Sequence, residues 1–150
     1  MKVKQVIGEQ KKKLLGKLIE RFGFPEYIFD GYDFYLGKQE IKICAKDMIS
    51  KIENIPNIYD AGFTFAKLGA NVKLSTAIVQ VLGKFATKNI VNLTVEQAID
   101  FISGRDIAKS CDNYTNGFVI ARFKEDNLGV GFLRGNQLKN LVPGAKRLEI

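Results

Sequence analysis

The chain contains no histidine, and that absence removes more chemistry than any other feature of its composition. Ser-His-Asp and Cys-His nucleophiles, a histidine general base and His-assisted metal hydrolysis are all excluded. Carboxylate or lysine catalysis stays open in principle, with little in the sequence to support it. Cysteine is scarce too: Cys44 and Cys111 are too few for a disulfide framework, and neither belongs to a zinc pattern. Cys44 closes the apolar run Ile41-Lys42-Ile43-Cys44 and reads as a small core residue. No stretch approaches the roughly 20 apolar residues that span a bilayer. The start Met1-Lys2-Val3-Lys4 lacks the hydrophobic segment of a signal peptide, so the expected location is cytoplasmic, with no membrane partner.

What is present is ample apolar content and an excess of positive charge. At 150 residues and 46% apolar, the chain suits one ordinary domain or two small ones sharing an interface. Lys and Arg number 23 against 16 Asp and Glu, a net charge of +7 that favours anionic partners at long range. Residues 1–93 hold 15 cations and 9 anions, net +6, and residues 94–150 hold 8 and 7, net +1. After residue 128, however, Arg134, Lys139, Lys146 and Arg147 face only Glu149.

Periodicity places the elements. Leu14, Leu15, Leu18, Ile19 and Phe22 share a helical stripe over residues 9–22, with Lys11, Lys12, Lys13 and Lys17 off it on an expected solvated face. Gly23 and Pro25 end this helix. Tyr27-Ile28-Phe29, the Asp30-Gly31 turn and residues 33–36 read as a hairpin, followed by a turn at Gly37-Lys38 and a strand over 40–44. The aromatics at 27, 29, 32, 34 and 35 read as core in preference to a base-stacking platform. Two short strands are predicted within residues 60–74, then a helix capped by Ser75 or Thr76 that packs through Ala77, Ile78, Val81, Leu82 and Phe85.

A strand over residues 89–93 leads to Thr94, which forms a capping box with Gln97 and starts a helix packing through Ala98, Ile99 and Ile102. Gly104 supplies its left-handed stop. Strands follow over 117–123 and 128–133 around an Asp126-Asn127 turn. The order is α+β and not a series of βαβ units, which disfavours a Rossmann-like enzyme. With no Pro- or Ser-rich linker near residues 88–93, the two halves are expected to pack together.

Arg134 and Lys139 flank Gly135-Asn136-Gln137-Leu138, and cations beside amides at a turn suit phosphates, 2′-hydroxyls and base edges of RNA. A polar turn with solvated charges would look the same in sequence. Taken together, Val95-Glu96-Gln97-Ala98 through Gly104-Arg105-Asp106-Ile107, Phe118-Val119-Ile120, Leu128-Gly129 and Gln137-Leu138-Lys139-Asn140 before Pro143 resemble a PUA domain. The nearest likeness is to the PUA-type C-terminal extension of bacterial rRNA cytosine-C5 methyltransferases. Residues 1–90 resemble, more weakly, the pre-PUA domain of Nip-type ribosome-biogenesis factors.

The resemblance implies an α+β chain: a mixed α/β pre-PUA-like domain over 1–90, then a small β pseudo-barrel, PUA-like and RNA-binding, over 91–150. It also implies an RNA surface, for which the candidates are Gly104, Arg105, Arg134, Asn136, Lys139, Asn140, Lys146 and Arg147. The expected partner is RNA, either rRNA or a pre-ribosomal particle, with a separate RNA-modifying enzyme as a further one. No S-adenosylmethionine loop is evident, and neither cysteine sits in the Pro-Cys or Thr-Cys context of those methyltransferases. No catalytic residue, cofactor or metal is therefore expected. The competing reading is a protein-interaction module docking on an RNA methyltransferase or ribosomal protein through aromatics near Tyr27–Tyr35.

Overall fold

The computed structural model describes residues 4–48, 62–69, 71–108, 116–144 and 147. Cys111 and Lys146 lie outside the described residues. Three α-helices and ten strands are present among them, in two compact units, Met1–Leu74 and Ser75–Ile150. This division falls earlier than residue 90 because the helix at Thr76–Leu82 packs on a strand of the second unit. No helix among the described residues is long and apolar enough to cross a membrane.

Among its described residues the first unit has a five-stranded antiparallel sheet and one α-helix. Strands β1 (Lys4–Val6), β2 (Tyr32–Leu36), β3 (Glu40–Ala45), β4 (Phe63–Lys67) and β5 (Lys73–Leu74) lie in that order. Helix α1 (Gly8–Phe22) buries Leu14, Leu18 and Phe22 and ends at the left-handed Gly23, whose N–H donates to the Ile19 carbonyl. The core is aromatic. Phe22, Phe24, Phe29, Phe34 and Phe65 are linked edge to face or tilted, with centroids 4.8–6.2 Å apart.

Three details correct the sequence reading of this unit. Glu26–Phe29 is a 3₁₀ turn and not a hairpin strand. Pro25 sets its extended entry, and Ile28 and Phe29 are buried in succession where a strand would alternate. Lys11 is half-buried, with its ammonium 5.5 Å above the Phe34 ring. Strand β1 was not anticipated: three edge residues carry too short a pattern to read. The expectation for Cys44 holds, since it is buried beside the Asp33 carbonyl. Burial first, then the negative charge of Asp33, pushes its thiol pKa up.

The second unit curls into a half-barrel. Strands β6 (Ile90–Asn92), β7 (Ile107–Ala108), β8 (Gly117–Phe123), β9 (Asp126–Arg134) and β10 (Gln137–Asn140) are arranged β6-β8-β9-β10-β7. Among the described residues only the β6–β8 pair is parallel. Helix α2 (Thr76–Leu82) is capped by the Ser75 hydroxyl, which accepts from the Ile78 N–H, and α2 packs on β9. Its buried face is Ile78, Val79 and Leu82. Val81, expected inside, is 60% exposed.

Helix α3 (Val95–Ile102) has the full capping box. The Gln97 N–H donates to the Thr94 hydroxyl at 3.2 Å, and the Thr94 N–H donates to the Gln97 side-chain carbonyl at 3.0 Å. Phe101, fully buried among Val91, Val119, Leu133 and Leu138, anchors this helix where the sequence pointed to Ile99, which is exposed. The β8–β9 turn is Lys124-Glu125, with Lys124 left-handed. Asn127 is instead buried in β9, where its side-chain oxygen accepts from Arg122 Nε at 2.7 Å.

Candidate nucleic-acid interface

Strand β10 organises the candidate residues because its side chains alternate. Gln137 and Lys139 are exposed, while Leu138 and Asn140 point into the fold. At its start, a two-residue turn joins it to β9. Arg134 pairs with Gln137 across that turn, and Gly135 takes the left-handed φ of 59° at the first turn position, as a type II′ hairpin requires. The Gly135 N–H donates to the Asn116 side-chain oxygen at 3.1 Å. Arg134, Asn136, Gln137 and Lys139 are thus all exposed on one hairpin.

Lys139 stands opposite Phe132, and Phe132 opposite Phe118, in one row across the sheet. The two rings meet edge to face at 5.3 Å and are half-buried. Sequence reasoning passed over this pair, and over Asn116, because strand aromatics and isolated asparagines carry no signal until their register is known.

At its far end β10 is tied to the loop after α3. The Asn140 Nδ2 donates to the Phe101 carbonyl at 2.6 Å and to the Arg105 carbonyl at 3.0 Å. Its Oδ1 accepts from the Val142 N–H at 2.8 Å, and its own N–H donates to an Asp106 carboxylate oxygen at 2.7 Å. Asn140 is 6% exposed. This corrects its expected place as a ligand contact: every polar atom of the amide faces backbone, and its role is to hold Arg105 and the α3 end against β10.

Gly104, at φ 95°, leaves a notch that Arg147 fills. A Cβ there would lie 2.5 Å from the Arg147 Cδ and 2.7 Å from its Nε. That Nε donates to the Val142 carbonyl at 2.9 Å, fixing the stem of an exposed guanidinium. Arg105 is exposed as well, and its Nη1 meets an Asp100 carboxylate oxygen at 2.8 Å. So exposed a pair is worth at most about 1 kcal/mol, which leaves Arg105 able to exchange Asp100 for another anion.

The structure therefore gathers Gly104, Arg105, Asn140 and Arg147 at one end of β10 and Arg134 and Asn136 at the other, with Lys139 between. A strand of this length spans about 10 Å. The unit also holds an open cavity of about 600 Å³ between α2 and the β8–β9 turn. Lys84, Glu125 and Asp126 all line it, a mixed lining that offers a polyanion no advantage.

The second unit is thus a curled half-barrel entered through a capped helix, with its last hairpin running back past the end of that helix. Residues 88–148 match the family model described as the methyltransferase RsmF PUA domain, and residues 1–87 lie outside that match. No curated protein matches the chain.

Proposed function

We propose that the chain is an RNA-binding accessory protein that positions structured RNA for rRNA modification or ribosome assembly. In this reading the RNA-gripping PUA-type domain, residues 91–150, lies within the second unit, and the first unit is a pre-PUA-like domain. One observation carries it: along β10 of a PUA-type domain, Arg147 and Arg105 at one end, Lys139 in the middle and Arg134 at the other are all exposed. Cations so placed neutralise backbone phosphates and release counterions, while Asn136 and Gln137 can bond to sugars and base edges. Lys146 joins the same set by its place in sequence.

Filter binding with structured rRNA fragments over a salt series is the test. A negative log–log slope is expected, and no binding at low salt would refute the reading. Within that assay Lys139→Ala should weaken binding to all RNA sequences alike and make the slope shallower by about one unit. An unchanged slope would remove Lys139 from the interface. The competing protein-docking reading invoked aromatics near Tyr27–Tyr35, of which Phe29, Phe34 and Tyr35 are buried and Tyr27 is 67% exposed.

A further inference from the structure

Among the described residues of the first unit, Lys38, Lys67 and Lys73 form a cluster of cations without a carboxylate at ion-pair distance. In the β4–β5 pair Lys67 stands directly opposite Lys73, a register that holds the two Cβ atoms about 5 Å apart. The Leu68 N–H donates to the Gln39 carbonyl at 3.1 Å, which brings the β2–β3 turn and its exposed Lys38 beside the same corner. Glu40 is the acid in register with Lys67, but its carboxylate is turned to Lys42 at 2.9 Å and to the Thr64 hydroxyl at 3.2 Å. Among the described residues neither Lys67 nor Lys73 has a carboxylate at ion-pair distance.

Like charges in direct cross-strand register destabilise a sheet. A lone lysine on edge strand β5 would suffice to discourage edge-to-edge pairing. That protection asks for no second cation on β4, so the opposed pair needs another explanation. Burial, and then the charge of Lys67, push the Lys73 pKa down. A bound anion would relieve that repulsion.

We propose that Lys38, Lys67 and Lys73 form a phosphate-binding corner in which Lys67 and Lys73 each neutralise a backbone phosphate of the bound RNA. For the source of that phosphate the site rests on the RNA-binding reading above. The corner lies outside the segment 88–148 that matches the family model.

The variant Lys67→Gln/Lys73→Gln removes both charges and keeps the side chains long. In the filter-binding series its log–log slope should be shallower than the parent's by about 1.4–1.8. Its Tm in chloride should match or exceed the parent's, since the opposed charges are gone. Equal slopes, with the parent binding RNA, would overturn the corner and leave the RNA reading standing. If the parent binds no RNA, the RNA reading falls and Tm in inorganic phosphate decides. A larger rise for the parent than for the variant keeps the corner as a site for free phosphate, and equal rises overturn it. Should the double variant fail to fold, Lys67→Gln alone, at an exposed position, should change the slope by about 0.7–0.9.

Discussion

Asn140→Asp should unfold the second unit more readily than Asn140→Ala does, although aspartate is the closer match in shape. Alanine leaves the Phe101 and Arg105 carbonyls and the Val142 N–H without their partner. With a buried orphan costing about 1–3 kcal/mol and water able to reach part of the gap, a loss of about 3 kcal/mol is expected. Aspartate keeps the Val142 bond but puts an oxygen where Nδ2 stood, 2.6 and 3.0 Å from two carbonyl oxygens. An ionised carboxylate buried against two acceptors costs several kcal/mol unless it takes up a proton.

That cost gives the variant a pH signature. The introduced carboxyl is held neutral by its surroundings, so its folded pKa lies above the unfolded value of about 3.9. The folded state then binds more protons, and stability falls as pH rises from near 4 through the folded pKa. Urea unfolding at pH 5 and pH 8 should find Asn140→Asp markedly weaker at pH 8, with Asn140→Ala changing much less between the two. Equal stability of the aspartate variant and the parent at pH 8 would show that Asn140 does not hold these carbonyls.

The same residue marks where sequence reading reached and where it stopped. Thr94-Val95-Glu96-Gln97 and Gly104 fixed both ends of α3, because a capping box and a left-handed stop act within a few residues of chain. The stripe of Leu14, Leu15, Leu18, Ile19 and Phe22 was equally legible, since its period is local; Leu14, Leu18 and Phe22 are its buried members. Asn140 was misjudged because an exposed amide and a buried clasp share one letter, and the carbonyls that decide between them lie 35 and 39 residues away in sequence. Val81 and Ile99 failed similarly: helical spacing yields a stripe, but only the packed sheet selects which flank of a short helix is covered. Tyr27–Phe29 looked like a strand from composition, and the preceding proline together with successive burial made it a 3₁₀ turn. Lys67 and Lys73 carried no motif at all, since their opposition exists only in the register of β4 and β5.

Gly104→Ala should weaken RNA binding by about tenfold, close to 1.4 kcal/mol, without touching a charged side chain. Two costs arise together. An alanine at φ 95° is strained by about 1 kcal/mol, and its Cβ occupies the space of the Arg147 Cδ and Nε. Arg147 must swing out, which leaves the Val142 carbonyl without its Nε donor and the guanidinium without a fixed stem. A glycine that instead served RNA directly, by letting a phosphate approach the backbone, would give the same single-variant result. The double variant separates the two. With Arg147→Ala the notch is empty, so adding Gly104→Ala should bring no further loss of affinity, and its stability cost should shrink to the backbone strain alone. Non-additivity of this size is what contact between the two positions predicts. Fully additive losses of affinity would show that Gly104 meets the RNA itself, and that Arg147 binds independently of the notch that seats it.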